Sequence, residues 1–526
     1  MVTKTTIFNF LFILVFGAFI SSCSSDGDKE VPDDDSPMVE DITPPSINLQ
    51  ELLDNQVLSE KVQITVNVSD DNTQNINLKI LLDGEEIYDS STEYSLEFDP
   101  NLYTVGEKKL RFVATDDANN SNALEIKVKI QRILLKLFIE ENYIRNPIEQ
   151  AYAFLSDVQG NPLDSLEISD QQQSHVFLAP LSFNAQEDFV LTVVTKEKND
   201  VVNIESTPGL NREKLLEFYL KNNGRFDFES IDINYASTGF HHLEGLGYAY
   251  FVFTPNQSEG TLDLLDRKNP TDYIYILSPG GFVNSTHFVA KLKRDTVSNP
   301  LILDIDDFSS DNISVGNFPY TDTSQISLLG FENLEDSQNY RFHNALFGIG
   351  QIINPDRILH PYIDNFPFYR HSYTDLYGSN LDGYRYLGEG LPLNEYNPIE
   401  TDLSTVVENG TVQITYSPIN DYFGGKVHLK SENQKSNWVV AFNPFVDKEL
   451  ILPKMPVIGS LETLDLSDYV IKSSRISRYS DVGSYDEYLL KVRSKAINYY
   501  SHSSFAEHIT IWPSQDNREQ YLDPLR

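Results

Sequence analysis

Residues 61–84, KVQITVNVSDDNTQNINLKILLDG, decide the fold. In the first half Val62, Ile64, Val66 and Val68 fall on alternate positions, and in the second Ile76, Leu78, Ile80 and Leu82 do the same. A period of two puts every apolar side chain on one face of a pleated strand, so each half reads as a strand with one buried face. Asp83-Gly84 follows at once, a pair suited to the left-handed backbone of a tight hairpin turn. Runs of the same pattern surround this pair: EYSLEF at 93–98, KKLRFVAT at 108–115 and ALEIKVKI at 123–130. ITPPSINL at 42–49 reads as an edge strand, with prolines at its start where a missing N–H is tolerated. Short alternating strands at spacings of roughly 8–12 residues predict an antiparallel β-sandwich over 43–131.

The pattern continues. LLKLFI (134–139), QAYAFL (150–155), DFVLTVVT (188–195), GRFDFESIDINY (224–235), GYAYFVF (247–253), DYIYIL (272–277) and HFVAKLK (287–293) all read as strands. So do TVQITY (411–416), KVHLK (426–430), WVVAF (438–442), EYLLKV (487–492) and HITIW (508–512). Helical spacing is confined to a short turn in NREKLLEFYLK, 211–221. Tyr (29) and Phe (31) are abundant beside Met (3) and Trp (2), a balance that favours strands. At 526 residues the chain exceeds a single core. The expected fold class is all-β, with antiparallel β-sandwich-like domains in series. A small second sandwich is expected at 132–222 and a larger β-rich region at 223–526, with a candidate division near 400. No internal repeat marks a propeller.

Before the first sandwich lies MVTKTTIFNFLFILVFGAFISSCSSDGDKE, residues 1–30. Lys4 is the charged start, Ile7 to Phe19 the apolar stretch, and Ser21-Ser22 small residues before Cys23, the one cysteine in the chain. That layout is a signal peptide, with an apolar run short of a membrane span. It resembles the lipobox of bacterial lipoproteins, with Ile20 where that consensus prefers Leu and Ser22 where it prefers Gly or Ala. The resemblance implies a signal peptide at 1–22, lipid on the Cys23 thiol and amino group, and anchorage to the membrane. The acyl chains would hold at ~0.8 kcal/mol per buried CH₂. Ser24 after the cysteine resembles an outer-membrane address, and the acids at 26–35 resemble a signal for export to the cell exterior. By composition, residues 23–42 are a flexible acidic tether. The plain alternative is a secretory signal followed by a solvated spacer. Residues 43–131, with DITPP, VNVSDD, LLDG and VGEKKLRFVATDDANN, resemble bacterial immunoglobulin-like and cadherin-like domains, which implies a spacer or binding module.

A formal net charge of −38 repels phosphate backbones and argues against nucleic acid as a partner. Cations and neutral polymers suit it better. No H-E-x-x-H, G-x-S-x-G or phosphate-binding glycine loop occurs. His241-His242, His360 with His371, and His502 with Glu507 and His508 lack the spacing of recognised zinc sites. Paired carboxylates for glycoside hydrolysis leave no sequence signature, so a hydrolase stays open.

Two groups carry candidate chemistry. Asp70-Asp71 and Asp116-Asp117, with Asn119, follow two strands whose loops leave a sandwich at one end, and converging hard oxygens suit Ca²⁺. The alternative is ordinary Asx turns. Residues 360–386 set Tyr362, Phe368, Tyr369, Tyr373, Tyr377, Tyr384 and Tyr386 among polar residues, at spacings that predict a long irregular loop. Exposed rings with hydrogen-bonding neighbours stack on sugars or anchor a protein partner; rings folded inward are core. The functional expectation is a cell-surface binding or adhesion lipoprotein for glycan or another envelope polymer. A glycan-directed hydrolase and a structural spacer or assembly subunit are the rivals.

Overall fold

The computed structural model describes residues 41–513 with interruptions, the longest at 236–243, 247–258, 460–468 and 495–503. Cys23, the signal segment, His241, His242 and His502 lie outside the described residues. The protein is all-β, built as sandwiches in series. Among the described residues no helix is long and apolar enough to cross a membrane.

The first sandwich is made as its alternation requires. A sheet of Ser46–Gln50, Val62–Ser69 and Ser95–Phe98 faces one of Gln56–Leu58, Ser121–Ile130, Gly106–Thr115, Asn77–Leu82 and Glu85–Ser90. Ile64, Leu78, Ile80, Leu110 and Phe112 are wholly buried between them, in a core formed by residues of this sandwich alone. Asp83 and Gly84 both take positive φ, 51° and 95°, and so close the hairpin. Arg132 ties this unit to the next by donating to the carbonyls of Pro100 and Tyr103.

Beyond it, the sheets do not divide where the chain was expected to. Ile148–Asp157, Pro162–Ile168, Phe189–Glu197 and Val202–Leu210 form one end of a twelve-stranded sheet. That sheet continues through Ser436–Phe442, Gly424–Ser431, Val470–Tyr479, Phe505–Ile511, Asp382–Glu389, Phe368–Tyr377, Gln325–Phe331 and Asn344–Ala345. The expected boundary at 222 is crossed where Val202–Leu210 pairs in parallel with Ser436–Phe442, and that near 400 where strands from both sides join the sheet. Parallel partners far apart in sequence leave no local turn signal, which is why the alternation did not reveal them.

Both faces of this sheet are covered. The small sheet Ser174–Leu178, Ile133–Ile139 and Glu217–Leu220 packs on one side over Ala153, Leu155, Phe189 and Leu191. Ser404–Glu408, Thr411–Thr415 and Glu449–Ile451 pack on the other over Tyr152, Trp438, Val440 and Ile476. EYLLKV, expected as a strand, is helical across Tyr485–Tyr488 and Leu489–Arg493. Ser484 caps it by accepting from the Glu487 N–H (3.2 Å), while Glu487 accepts from the Gly483 N–H (2.7 Å). This S-x-x-E cap, with Glu487 reaching back to the residue before Ser484, overrides the alternation, and the helix buries Tyr485, Tyr488 and Leu489.

Candidate functional site

The acidic end of the first sandwich is assembled by its loops. Asp41, Asp70 and Asp116 bring carboxylate oxygens within 4.8 Å of one another. Asp116 is buried and accepts from the Asn120 backbone N–H (2.8 Å) and side-chain amide (2.9 Å). The same Asn120 amide donates to the Asp41 carbonyl (3.0 Å), fastening the entering chain to the turn. Of the sequence candidates, Asp70 and Asp116 come together. Asp71, Asp117 and Asn119 stay outside this group; Asp117 instead accepts from Asn75 (3.0 Å), and Asn119 holds the turn with φ 68°. Asp41 was missed because it lies in the stretch read as tether, although its place just before TPP and the first strand marks it as ordered.

The aromatic stretch is not a loop. Arg357–Ile363, Phe368–Tyr377 and Asp382–Glu389 are strands, and the last two form a hairpin with Tyr373 opposite Tyr386 and Asp375 opposite Tyr384. Tyrosines are strong strand formers, and alternation is present in Tyr369-His371-Tyr373-Asp375-Tyr377 once polar residues are allowed on a buried face. Tyr373 and Tyr384 are buried at 4% and 2% exposure, so these two are sheet core rather than exposed rings. Tyr362, Phe368, Tyr369, Tyr377 and Tyr386 are partly exposed. Phe368 lies on the opposite face from Tyr369, and Tyr362 belongs to a separate sheet.

On the shared face a row of near-parallel rings crosses three strands. His371 and Tyr386 stack at 5.6 Å and 18°, and Tyr386 and Phe505 at 5.8 Å and 11°. Gly388 makes room for them, since a Cβ there would sit 2.6 Å from the Tyr386 ring and 2.7 Å from His371. Tyr396, from the 391–400 segment, stacks on Tyr373 at 4.0 Å. The Arg478 guanidinium lies 5.5 Å over Phe505 and 5.6 Å over Tyr422, and pairs with Glu507, which is 1% exposed. Burial, and then the Glu507 charge, push the Tyr384 hydroxyl well above its usual range. Burial holds His371 neutral, with its pKa lowered to about 4.

Glu507 and His508 are neighbours on one strand, so they face opposite sides of the sheet and cannot share a metal. Glu507 meets Arg478, while His508 bonds Ser477 (2.7 Å). Phe505, Arg478 and Tyr396 were not singled out in the sequence; they reach the ring row only through long-range strand pairing and loop packing.

No protein-family model matches the chain, and no curated protein matches it in sequence. Among solved structures it is similar to fibronectin(III)-like modules of Clostridium thermocellum CbhA, at 21% identity over 16% of this chain and 98% of that one, TM-score 0.15. It is also similar to SGBP-B of the Bacteroides ovatus mixed-linkage glucan utilization locus, solved with a mixed-linkage heptasaccharide, at 9% identity over 61% and 92%, TM-score 0.15. Sidekick-1 immunoglobulin domains 1–5 match at 11% identity over 82% and 95%, TM-score 0.14. Likeness at these scores carries no function to this chain.

Proposed function

We propose that this chain is a lipid-anchored binding protein of the outer membrane, facing the cell exterior, that recognises glycan or another extracellular polymer. The observation that carries the binding reading is the ring row His371–Tyr386–Phe505, with Tyr386 and Phe505 partly exposed and Arg478 beside them. Rings with a cation and hydroxyls at their edge suit stacking against the C–H face of a sugar. The anchor rests on Cys23 and the signal layout around it. The hydrolase rival is not supported by the two buried carboxylates of this face. Asp375 is taken by Thr321, Thr323 and Tyr373, at 2.7, 2.7 and 2.8 Å, and Glu507 by Arg478.

A glycan panel tests the reading. Saturable binding without turnover, weakened by roughly 1–3 kcal/mol in Tyr386→Ala or Phe505→Ala, is expected; turnover would favour the hydrolase. Cys23→Ser should release the protein from the membrane fraction, and full retention would remove the anchor. We also propose Ca²⁺ at Asp41, Asp70 and Asp116, whose converging carboxylates offer the hard ligands that ion takes.

A further inference from the structure

A cavity of about 330 Å³ lies between the large sheet and the Glu217–Leu220 strand. Its floor is one face of three adjacent strands, on which Val193, Glu205 and Val439 stand side by side in register. Leu191 and Thr207 form the row on one side of it, Thr195 and Asn203 the row on the other. Phe218, Leu220 and Arg493 close it from above.

The strand Val202–Leu210 explains why a void exists there. Val202 and Ile204 point into the core on the opposite side of the sheet. The alternate positions, Asn203, Glu205 and Thr207, face the layer that holds Leu191 and Phe218, where apolar side chains would be expected. A carboxylate in that layer draws in a partner: Arg493, only 4% exposed, pairs with Glu205 and donates to the Thr207 hydroxyl at 2.7 Å. With Arg493 buried and Glu205 half exposed, the desolvation cost falls mainly on Arg493 and limits what the pair gains over apolar packing. The Arg493 Nε has no hydrogen-bond partner. Glu205, 45% exposed, stands toward the solvent side of the pair. Tyr143 also lines the cavity, where burial, and then the Glu205 charge, hold its hydroxyl protonated.

These features narrow the ligand. The volume is at the lower end of small-molecule pockets, ~300–1,000 Å³, so it suits one compact unit rather than a run of polymer. A fatty chain would leave the Arg493 donor unmet. A free carboxylate would meet Glu205 as well as Arg493 and Lys221, and an amine would meet both of those cations. A neutral molecule with an apolar face and hydroxyls that both donate and accept matches this mixed lining: Leu191, Val193 and Phe218 are apolar, while Thr195, Glu205, Arg493 and Lys221 offer acceptors and donors. We propose that this cavity binds a single terminal pyranose unit of a glycan. The choice of ligand rests on the glycan reading above, while the site is distinct from the ring row and would recognise a chain end.

The experiment is calorimetric titration of the full chain with methyl glycosides and disaccharides, with decanoate in parallel. One glycoside should bind saturably. Thr195→Val, which keeps the shape and removes one hydroxyl, should weaken it about tenfold, the equivalent of one hydrogen bond. Val439→Phe, which fills the floor, should abolish binding; should that variant misfold, Thr195→Val still decides. No glycoside bound, decanoate bound in preference, or an affinity unchanged in Thr195→Val would each overturn the inference. Polymer binding lost in Tyr386→Ala alone, with no small glycoside bound, sinks the cavity and leaves the ring row. Glycoside binding lost in Thr195→Val but intact in Tyr386→Ala supports the cavity, whatever becomes of the ring row.

Discussion

At the scale of single residues the large sheet encloses titratable groups, His371 wholly and His428 and His508 in part. Burial lowers the pKa of His371 to about 4, of His428 to about 3, and of His508 well below the ordinary 6.5. Below pH 6.5 the unfolded chain takes up protons that the folded chain refuses, so acid favours unfolding. Each imidazole removes up to about 1.4 kcal/mol per pH unit between 6.5 and its folded value. The melting temperature should therefore fall from pH 7 to pH 4.5, and His428→Gln should flatten the fall; a flat profile in the parent protein would contradict these burials. The tyrosines give a second contrast. Tyr373→Ala should cost ~3–5 kcal/mol as a buried ring. Tyr386→Ala, on a partly exposed ring, should cost about 1–2 kcal/mol in denaturant titration. Equal losses would mean that the ring row is plain core.

At the scale of elements, local chemistry and long-range packing contend, and either can win. The Asp83-Gly84 turn sets the register of its hairpin by itself, because two residues of positive φ match the twist of the strands they join. The helix at 485–493 begins at Ser484 because its cap satisfies N–H groups that a strand would have left to a neighbour. The first sandwich holds its own core and should fold alone, so it is the proper object for the calcium test. Millimolar Ca²⁺ should stabilise isolated 41–131 by about 1–3 kcal/mol, for ligand at ten to a hundred times Kd. Asp116→Asn should remove that gain. A melting curve that ignores both Ca²⁺ and chelator would leave the three carboxylates as a turn-fastening group only.

At the scale of the whole molecule the twelve-stranded sheet makes residues 132–222 depend on residues some two hundred positions later. The strand Val202–Leu210 has Ser436–Phe442 as its neighbour, and the core under it takes Tyr479, Tyr485, Tyr488 and Leu489. An isolated 132–222 fragment would expose that edge and lose part of its core, so it should be unfolded or aggregated by circular dichroism and light scattering. A fragment starting at 132 and keeping the rest of the chain should fold. Independent folding of 132–222 would show that the shared sheet is not needed for its stability.

Alternation by itself determined that the chain is all-β, where most strands run and how the first sandwich is formed. Period-two burial and turn chemistry are local, and a single stretch such as 61–84 contains both. It also brought Asp70 and Asp116 to one end, because loop placement follows from the order of strands in a sandwich. Tertiary structure alone decided the rest. Asp41 joins the carboxylates through an amide of Asn120. Tyr373 and Tyr384 are taken inside while Tyr386 stays partly open. Glu205, flanked in its row by Val193 and Val439, meets Arg493 from nearly three hundred residues away. Such contacts depend on which strands become neighbours across long separations, and hydrogen-bonding edges look alike in sequence whatever their partner.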